Sequence, residues 1–101
     1  MVKFEKTAAF DRWLRDLRDL QGRARILARL VAAERGHLGD CAPVGSGVSE
    51  MRIHYGPGYR LYFTRRGETL YLLLIGGDKS SQPRDIRRAI ELANALGKDT
   101  R

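Results

Sequence analysis

The sequence is poor in cysteine, and it has neither a long apolar run nor a low-complexity tract. The single cysteine, Cys41, excludes an internal disulfide and a zinc site made from a cysteine cluster. His37 has no second histidine or carboxylate at ligand spacing, so we predict no metal site, and no cofactor is expected. No apolar run approaches the roughly 18 residues of a membrane span, and no charged-then-apolar leader opens the chain. We therefore expect a soluble, cytoplasmic protein without a membrane partner.

Positive charge is what the chain has in excess. It carries 19 lysines and arginines against 12 aspartates and glutamates, a net charge of +7, and its isoelectric point is near 10.2. On so small a chain this charge favours a nucleic acid or an acidic protein as partner, and a basic surface kept for solubility is the alternative. The 101 residues, 43% of them hydrophobic, allow one folded domain, residues 1–101, with one modest core.

Apolar spacing predicts an α+β fold with the element order β-α-α-β-β-β-α. Short alternation at residues 2–5 predicts an edge or parallel strand. Thr7 is placed to cap a first helix. The apolar stripe of that helix, at i, i+3, i+4 and i+7, comprises Phe10, Trp13, Leu14 and Leu17. A second helix is expected over about residues 23–35, and the two helices should form an antiparallel hairpin against the sheet.

The stretch from Val48 to Ile86 predicts two successive β-hairpins followed by a helix. The glycines and proline of residues 56–58 supply the first turn, and residues 65–68 supply the second. Residues 70–75, LYLLLI, are apolar on both faces, which predicts the central strand of a mainly antiparallel sheet. Gly76-Gly77 should end this strand and leave room for a ligand or for close approach of the backbone.

A connection and a last helix complete the prediction. Residues 36–47 are rich in glycine and polar residues, which predicts an irregular connection with room for a short strand at residues 42–44. Ser80 or Ser81 should cap the last helix, and Gly97 should end it. We expect the helices to lie on one face of the sheet.

Strand alternation brings four polar side chains to one face of the first hairpin. Pairing through the glycine turn places two arginines, a histidine and a tyrosine together: Arg52, His54, Arg60 and Tyr62. Guanidinium groups bind phosphate through paired hydrogen bonds, so this face suits an anionic backbone such as RNA.

Two motifs give the chain a family resemblance. G-x-G-Y-R-x-Y-F at residues 56–63 is followed by G-G-D-K-x-x-Q at residues 76–82. Together with the upstream segments FDRWLRDL and GHLGD, this combination resembles the RelE/ParE superfamily of bacterial type II toxins. The nearest branch is the HigB-like one, often labelled addiction module killer protein.

This resemblance implies a small basic toxin that a cognate antitoxin neutralises. The antitoxin would be a small helix-turn-helix protein, and the toxin–antitoxin complex would bind its own promoter DNA. Many RelE-like members cut mRNA on the translating ribosome without a metal, whereas ParE-like members poison DNA gyrase.

The resemblance also implies roles for the cationic residues. Metal-free RNA cleavage needs a base for the 2′-hydroxyl, charge stabilisation for the phosphate and an acid for the leaving oxygen. Arg60, in the G-Y-R position where RelE-like toxins keep an arginine, is expected to hold the scissile phosphate, with Arg52 as a second clamp. Lys79 matches a basic residue that follows the last strand in the family, and it would neutralise developing charge.

Three further residues complete the predicted site. His54 is suited to proton exchange near neutral pH, so it is the candidate base, and an ordinary exposed histidine is the alternative. Tyr62 is expected to stack on a base or to relay a proton. Gln82 is expected to orient neighbouring groups in the substrate-binding set.

Departures from the RelE pattern bear on the mechanism. Glu50 and Arg52 stand where RelE-like enzymes place a lysine pair. Ser80 stands in the place of an arginine, and Ile86 in that of a tyrosine. Because a protonated arginine is a poor base, the RelE mechanism does not carry over unchanged, and the HigB-like use of histidine and acidic residues is the nearer guide.

Three functions stay open at this point. The first is a metal-independent mRNA endoribonuclease, ribosome-dependent or free, that inhibits translation. The second is a gyrase poison of the ParE type, which needs no phosphate-cleaving site. The third is a toxin fold without activity that binds operator DNA together with its antitoxin.

Overall fold

The computed structural model describes residues 2–99. In this range the strands are β1 (Lys3–Lys6), β2 (Cys41–Gly45), β3 (Val48–Ile53), β4 (Tyr59–Arg66) and β5 (Leu70–Asp78). The helices are α1 (Ala8–Asp16), α2 (Leu20–Glu34) and α3 (Gln82–Asp99), with a 3-10 turn (Lys79–Ser81) directly before α3. Among residues 2–99, no helix combines the length and the apolar character that a membrane crossing requires.

The strands form one mixed sheet in the order β1-β5-β4-β3-β2. β1 is parallel to β5, and the other three pairings are antiparallel. The α+β class, the two successive hairpins and the mainly antiparallel sheet are therefore confirmed. The connection over residues 36–47 contains β2, which makes five strands in place of the four predicted. β4, and not the apolar strand at residues 70–75, is the central strand.

The helices lie on both faces of the sheet, so the prediction that they share one face is wrong. α1 and α2 pack on the face that carries Met51, Leu61, Phe63 and Leu73. α3 packs on the opposite face, which carries Val48, Tyr62 and Leu74. The residues of α3 that pack on this face are Ile86, Ala89, Ile90, Ala93 and Leu96. Alternation sorts the side chains of a strand onto two faces, but it does not say which helix covers each face.

Capping side chains set the starts of the first two helices. Thr7 caps α1 as predicted, because its hydroxyl oxygen accepts the backbone N–H of Phe10 at 3.0 Å. Asp19 caps α2 by accepting the N–H of Gly22 at 2.9 Å. α2 therefore begins at Leu20, earlier than the apolar spacing indicated.

The last helix ends later than predicted, and a capped 3-10 turn leads into it. Asp78 caps this turn, because its carboxylate accepts the N–H of Ser80 at 2.9 Å. The side chain of Ser81 completes a capping box with the backbone of Asp78. α3 continues through Gly97 to Asp99, so Gly97 does not end it.

Two glycines in β5 let both helix layers approach the sheet closely. A Cβ on Gly76 would overlap the ring of Trp13 in α1, and a Cβ on Gly77 would overlap the carboxylate of Asp85 in α3. The strand does not end at this pair, because it continues to Asp78. The room that the glycines leave is filled by side chains from the two helices.

β5 also extends past its neighbour at the edge of the sheet. β1 pairs with residues 70–73 alone, and Thr7 then donates its hydroxyl to the carbonyl of Leu74 at 2.6 Å as the chain turns into α1. Within residues 2–99, no strand pairs with residues 75–78 on the side of β5 away from β4. The sheet therefore has an open edge between α1 and α3.

Candidate functional site

The predicted site residues meet at one end of the sheet, where four segments of the chain come together. These segments are the end of β3, the loop of residues 54–58 with the start of β4, the end of β5 with the 3-10 turn, and Asp40 before β2. Backbone hydrogen bonds join them. The N–H of Arg52 donates to the carbonyl of Asp40 at 2.9 Å, and the N–H of Lys79 donates to the carbonyl of Pro57 at 3.4 Å.

Arg52 and Arg60 are direct cross-strand partners on the face that α3 covers. In the β3–β4 register, Arg52 lies opposite Arg60 and Glu50 lies opposite Tyr62. Alternate residues of a strand share a face, so all four side chains lie on the same side of the sheet. The predicted grouping of Arg52, Arg60 and Tyr62 on one face is therefore confirmed.

Glu50 lies between the two arginines and is 2% exposed. Its Oε2 accepts from Nε of Arg52 at 2.9 Å, and its Oε1 accepts from Nε2 of Gln82 at 2.8 Å. Nε of Arg60 lies 3.9 Å from the same Oε1. A buried carboxylate is costly without such partners. The hydrogen bond to Glu50 raises the pKa of Arg52, and the carboxylate offsets one of the two guanidinium charges.

Arg60 is held beneath the turn that carries Lys79. Arg60 is 8% exposed, and its Nη1 donates to the carbonyls of Gly58 at 3.0 Å and Tyr59 at 3.3 Å. Its Nε is buried and has no hydrogen-bond partner among residues 2–99. Nη1 of Arg60 and Cβ of Lys79 each lie 3.4 Å from the place that a Cβ of Gly58 would take. The buried guanidinium and the exposed lysine therefore flank Gly58.

His54 lies beyond the end of β3, and its side chain is 70% exposed. Its Nε2 lies 2.6 Å from Oδ2 of Asp40, whose Oδ1 lies 3.5 Å from Nη1 of Arg52. The hydrogen bond with His54 holds the pKa of Asp40 below its ordinary value, and the charge of Arg52 lowers it further. An ionised carboxylate only accepts hydrogen bonds, so Nε2 of His54 is the donor to Asp40.

Tyr62 is fully buried under α3, where it packs with Val48, Leu74 and Ala89. Its hydroxyl has no hydrogen-bond partner within the part of the chain that the structure describes. Burial, together with the charge of Glu50, raises the pKa of Tyr62 above its ordinary value. A ring without exposed surface presents no face to an RNA base, so the predicted stacking role does not fit this arrangement.

Glu50 and Asp40 are the members of this site that sequence reasoning missed as functional residues. Glu50 stood out only as a departure from the RelE pattern. The sequence carried no signal for Asp40, because its place next to Arg52 depends on the β2–β3 register. A bulge in β2 shifts this register by one residue, so counting outward from the turn alone would set Asp40 opposite the wrong neighbour.

An anion that approached this end of the sheet would meet a mixture of charges. Lys79 is exposed and the side chain of Arg52 is 36% exposed, whereas the guanidinium of Arg60 lies behind Gly58. A phosphate would have to share Arg52 with the carboxylates of Glu50 and Asp40. Among residues 2–99, no group of three histidine, cysteine, aspartate or glutamate side chains is placed to hold a metal ion.

Comparison with known proteins identifies a relative of nearly the same length. No protein-family model matches the chain. A Haemophilus influenzae protein, described as an uncharacterized protein, is 42% identical over 96 residues, which cover 95% of this chain and 97% of that protein. Identity at this level over almost the whole of both chains indicates common ancestry.

Proposed function

We propose that the chain, which belongs to the same family as the Haemophilus influenzae protein, is the toxin of a type II toxin–antitoxin pair and a metal-independent mRNA endoribonuclease. In this proposal it is a HigB-like member of the RelE/ParE superfamily that acts in the cytoplasm on mRNA held by the ribosome. Its partner is a small helix-turn-helix antitoxin, and the pair binds promoter DNA. The observation that carries the proposal is the cross-strand pair of Arg52 and Arg60 beside the exposed Lys79.

Two basic side chains support the proposed contact with the RNA backbone. Arg52 and Lys79 reach solvent at the same end of the sheet, so an RNA backbone that crosses this end contacts both. Arg60 fixes the backbone of Gly58 and Tyr59 from behind and keeps a positive charge under the contact. These charges would stabilise the additional negative charge that develops on phosphate during attack.

His54 supplies the proposed base. Its Nε2–H is held by Asp40, which orients the imidazole and leaves Nδ1 to take the proton of the ribose 2′-hydroxyl. The 2′-oxygen then attacks the adjacent phosphorus and forms a 2′,3′-cyclic phosphate, and the bond to the 5′-oxygen breaks as that oxygen takes a proton from solvent water. Asp40 is a positioning residue in this scheme, since it acts through His54 and does not touch the reacting atoms.

Glu50 supports a second candidate function. It binds Arg52, Gln82 and, at longer distance, Arg60, so much of the guanidinium charge on this face is used inside the protein. A gyrase poison of the ParE type acts by binding and needs no free phosphate clamp. Internal pairing of this kind is compatible with that function.

Expression in bacteria separates these two functions. After induction, we expect rapid loss of transcripts while chromosomal DNA stays intact. An SOS response with intact transcripts would contradict the nuclease proposal and favour the gyrase target. Co-expression of the helix-turn-helix protein encoded beside this gene should restore growth, which tests the proposed antitoxin.

A cleavage assay on purified ribosomes programmed with mRNA tests the base. His54→Gln should reduce the cleavage rate by about 10²- to 10⁴-fold, as expected for removal of a general base. Arg35→Gln, at the exposed end of α2, is the matched control and should cleave at the rate of the unchanged protein. Full-rate cleavage by His54→Gln would rule out this histidine as the base.

A further inference from the structure

The open edge of β5 lies in a cleft between α1 and α3. This edge crevice has a volume of about 810 Å³ and is lined by α1, by α3 and by the Ile75–Gly76 backbone. Its α1 wall presents Trp13 and Leu17, and its α3 wall presents arginines. The candidate site described above uses none of these side chains.

Unpaired backbone makes the edge crevice suitable for an extended peptide. β1 ends at Lys6, opposite Leu73, and the carbonyl of Leu74 is bonded to Thr7. The backbone of Asp78 is bonded to the hydroxyl of Ser81. Within residues 2–99, the outer edge of β5 that remains open to a strand partner therefore comprises residues 75–77. At about 3.3 Å per residue, this edge offers roughly 10 Å of strand surface. An extended segment that enters the crevice can pair with it as an added strand.

The two walls differ in chemistry, which sets the pattern of the peptide. The α3 wall carries Arg84, Arg87 and Arg88, and in the described part of the chain Arg87 and Arg88 form no ion pair. Arg84 lies 3.8 Å from Asp85, which is buried and also accepts from the hydroxyl of Ser81.

The α1 wall is apolar near the sheet. Ala9, Trp13 and Leu17 recur along it at spacings of four residues, which places them on one side of the helix. Arg12 and Asp16 of α1 and Glu91 of α3 also line the crevice. The charges are therefore mixed, and on the α3 wall three arginines outnumber Glu91 and the buried Asp85.

We propose that the edge crevice binds an extended acidic segment of a partner protein, which adds a strand to β5 and alternates acidic with apolar side chains. Successive side chains of a strand point in opposite directions. The acidic side chains face the arginines of α3, and the apolar ones face Trp13 and Leu17. The proposal does not depend on nuclease activity, because it concerns a different surface and a different ligand.

A peptide titration tests this proposal with the full chain. The probe is a fluorescein-labelled peptide of seven residues in which glutamate and valine alternate. Trp13 is the single tryptophan of the chain, so its emission reports directly on the edge crevice. We expect saturable binding by anisotropy, together with a change in Trp13 emission over the same concentration range.

Peptide controls separate strand pairing from simple charge attraction. A second peptide of the same composition has its glutamates and valines in two blocks, and a third carries N-methyl groups at alternate residues, which removes the donors of one strand edge. We expect both peptides to bind at least about tenfold more weakly than the alternating peptide. The block peptide loses the alternation that matches the two walls, and the N-methylated peptide loses the hydrogen bonds to the edge of β5. Equal binding of all three peptides would overturn the proposal.

Protein variants locate the binding. Arg87→Glu and Arg88→Glu should each weaken the alternating peptide by about tenfold at low salt, because each places a negative charge against an acidic side chain. Arg35→Glu changes the charge equally but lies at the end of α2 near Glu34, whose carbonyl binds Val2 at the start of β1. The affinity of Arg35→Glu for the alternating peptide should stay within about twofold of that of the unchanged protein. The start of β1 pairs with Leu70, whereas the crevice is lined by residues 75 and 76 of β5. Exposed charges that are separated by more than a Debye length, about 10 Å, are largely screened.

A nucleic acid is the competing occupant, and a single-stranded RNA of ten uridines distinguishes it. If this RNA changes Trp13 emission and displaces the peptide while the peptide itself binds no more weakly to Arg87→Glu, the surface belongs to nucleic acid and the proposal is wrong. If the RNA leaves Trp13 emission unchanged while the alternating peptide saturates it, the peptide assignment holds. These binding experiments are independent of the nuclease proposal, because a protein that fails to cleave mRNA should still bind the alternating peptide in the edge crevice.

Discussion

Two tyrosine hydroxyls in β4 have opposite surroundings. The hydroxyl of Tyr59 donates to Oδ2 of Asp19 at 2.7 Å, whereas the hydroxyl of Tyr62 is buried without a partner among residues 2–99. Removing a bonded hydroxyl loses the hydrogen bond, but removing an unbonded buried one relieves a desolvation cost. The two residues therefore form a matched pair for substitution by phenylalanine.

Tyr62→Phe should leave the free energy of unfolding unchanged or raise it by up to about 2 kcal/mol, and Tyr59→Phe should lower it by about 1 kcal/mol. Urea denaturation of both variants and the unchanged protein measures these differences. A loss of stability in Tyr62→Phe equal to that in Tyr59→Phe would mean that the Tyr62 hydroxyl has a bonding partner, such as a buried water.

Alkaline pH should reduce the stabilising effect of Tyr59. Burial, and then the hydrogen bond to Asp19, raise the pKa of Tyr59 to about 12 from its ordinary value of 10. Because folding raises this pKa, the contribution of the Tyr59 hydroxyl to the free energy of unfolding is complete below pH 10 and is lost as the pH rises towards 12. The stability difference between the unchanged protein and Tyr59→Phe should therefore be larger at pH 8 than at pH 11 in urea titrations. A difference that stays constant would contradict this linkage.

Glu50 should contribute more to stability than any exposed carboxylate of the chain. Glu50→Ala leaves two guanidinium groups and Gln82 without their common partner, and loss of one member of a buried ion pair costs about 3–5 kcal/mol. Glu68→Ala, in the exposed turn before β5, is the control and should change stability by less than about 0.5 kcal/mol. Denaturant titrations of both variants measure the contrast, and equal stabilities would show that the buried network is not stabilising.

At the scale of single residues, the sequence predicted which side chains share a face of the sheet, but not which of them are buried. Alternation placed Arg52, Arg60 and Tyr62 together correctly, because strand geometry fixes which residues share a face. It did not show that α3 would cover this face and bury Tyr62, since that depends on where the last helix packs. The role of Glu50 also follows from the packing of α3, which excludes water from the carboxylate and makes hydrogen-bond partners within the protein necessary.

Among the elements, β5 depends most on small side chains. Gly76→Ala would drive a methyl group into the ring of Trp13, and overpacking of this kind costs typically about 1–3 kcal/mol. Gly97→Ala is the opposite case, because within residues 2–99 no atom outside the local helix backbone lies within 4 Å of its Cβ position in α3. It should raise stability by about 0.5–1 kcal/mol through helix propensity. Thermal melts of the two variants test the contrast, and a harmless Gly76→Ala would show that Trp13 can move aside.

The elements with strong local signals were predictable. The two hairpins and the cap at Thr7 follow from turn and capping chemistry that lies within a few residues. β2 was only a weak signal, because Pro43 and two flanking glycines disguise its alternation and a bulge interrupts its register. The position of β4 at the centre of the sheet depends on where β1 pairs, which no local pattern encodes.

The whole molecule carries a net charge of +7, so any binding of RNA should weaken as salt rises. For a single strand, the slope of log affinity against log salt becomes shallower by about 0.7 for each phosphate that the protein ceases to neutralise. Arg52→Gln and Lys79→Gln should each reduce the slope by this amount, measured by anisotropy with labelled RNA. Arg35→Gln should leave it unchanged. Equal slopes for all four proteins would place the RNA elsewhere on the surface.

The parallel pairing of β1 with β5 governs when the chain can fold during its synthesis. β1 is made first, but its partner is Leu70–Leu73, and Thr7 bonds to a carbonyl 67 positions later. Pairings so distant along a chain form late, because a long loop must close before they yield any free energy. The nascent polypeptide therefore holds an unfinished sheet until β5 and α3 have been translated. The end of the sheet where Arg52, Arg60 and Lys79 meet is therefore assembled only after β5 and the 3-10 turn have been translated.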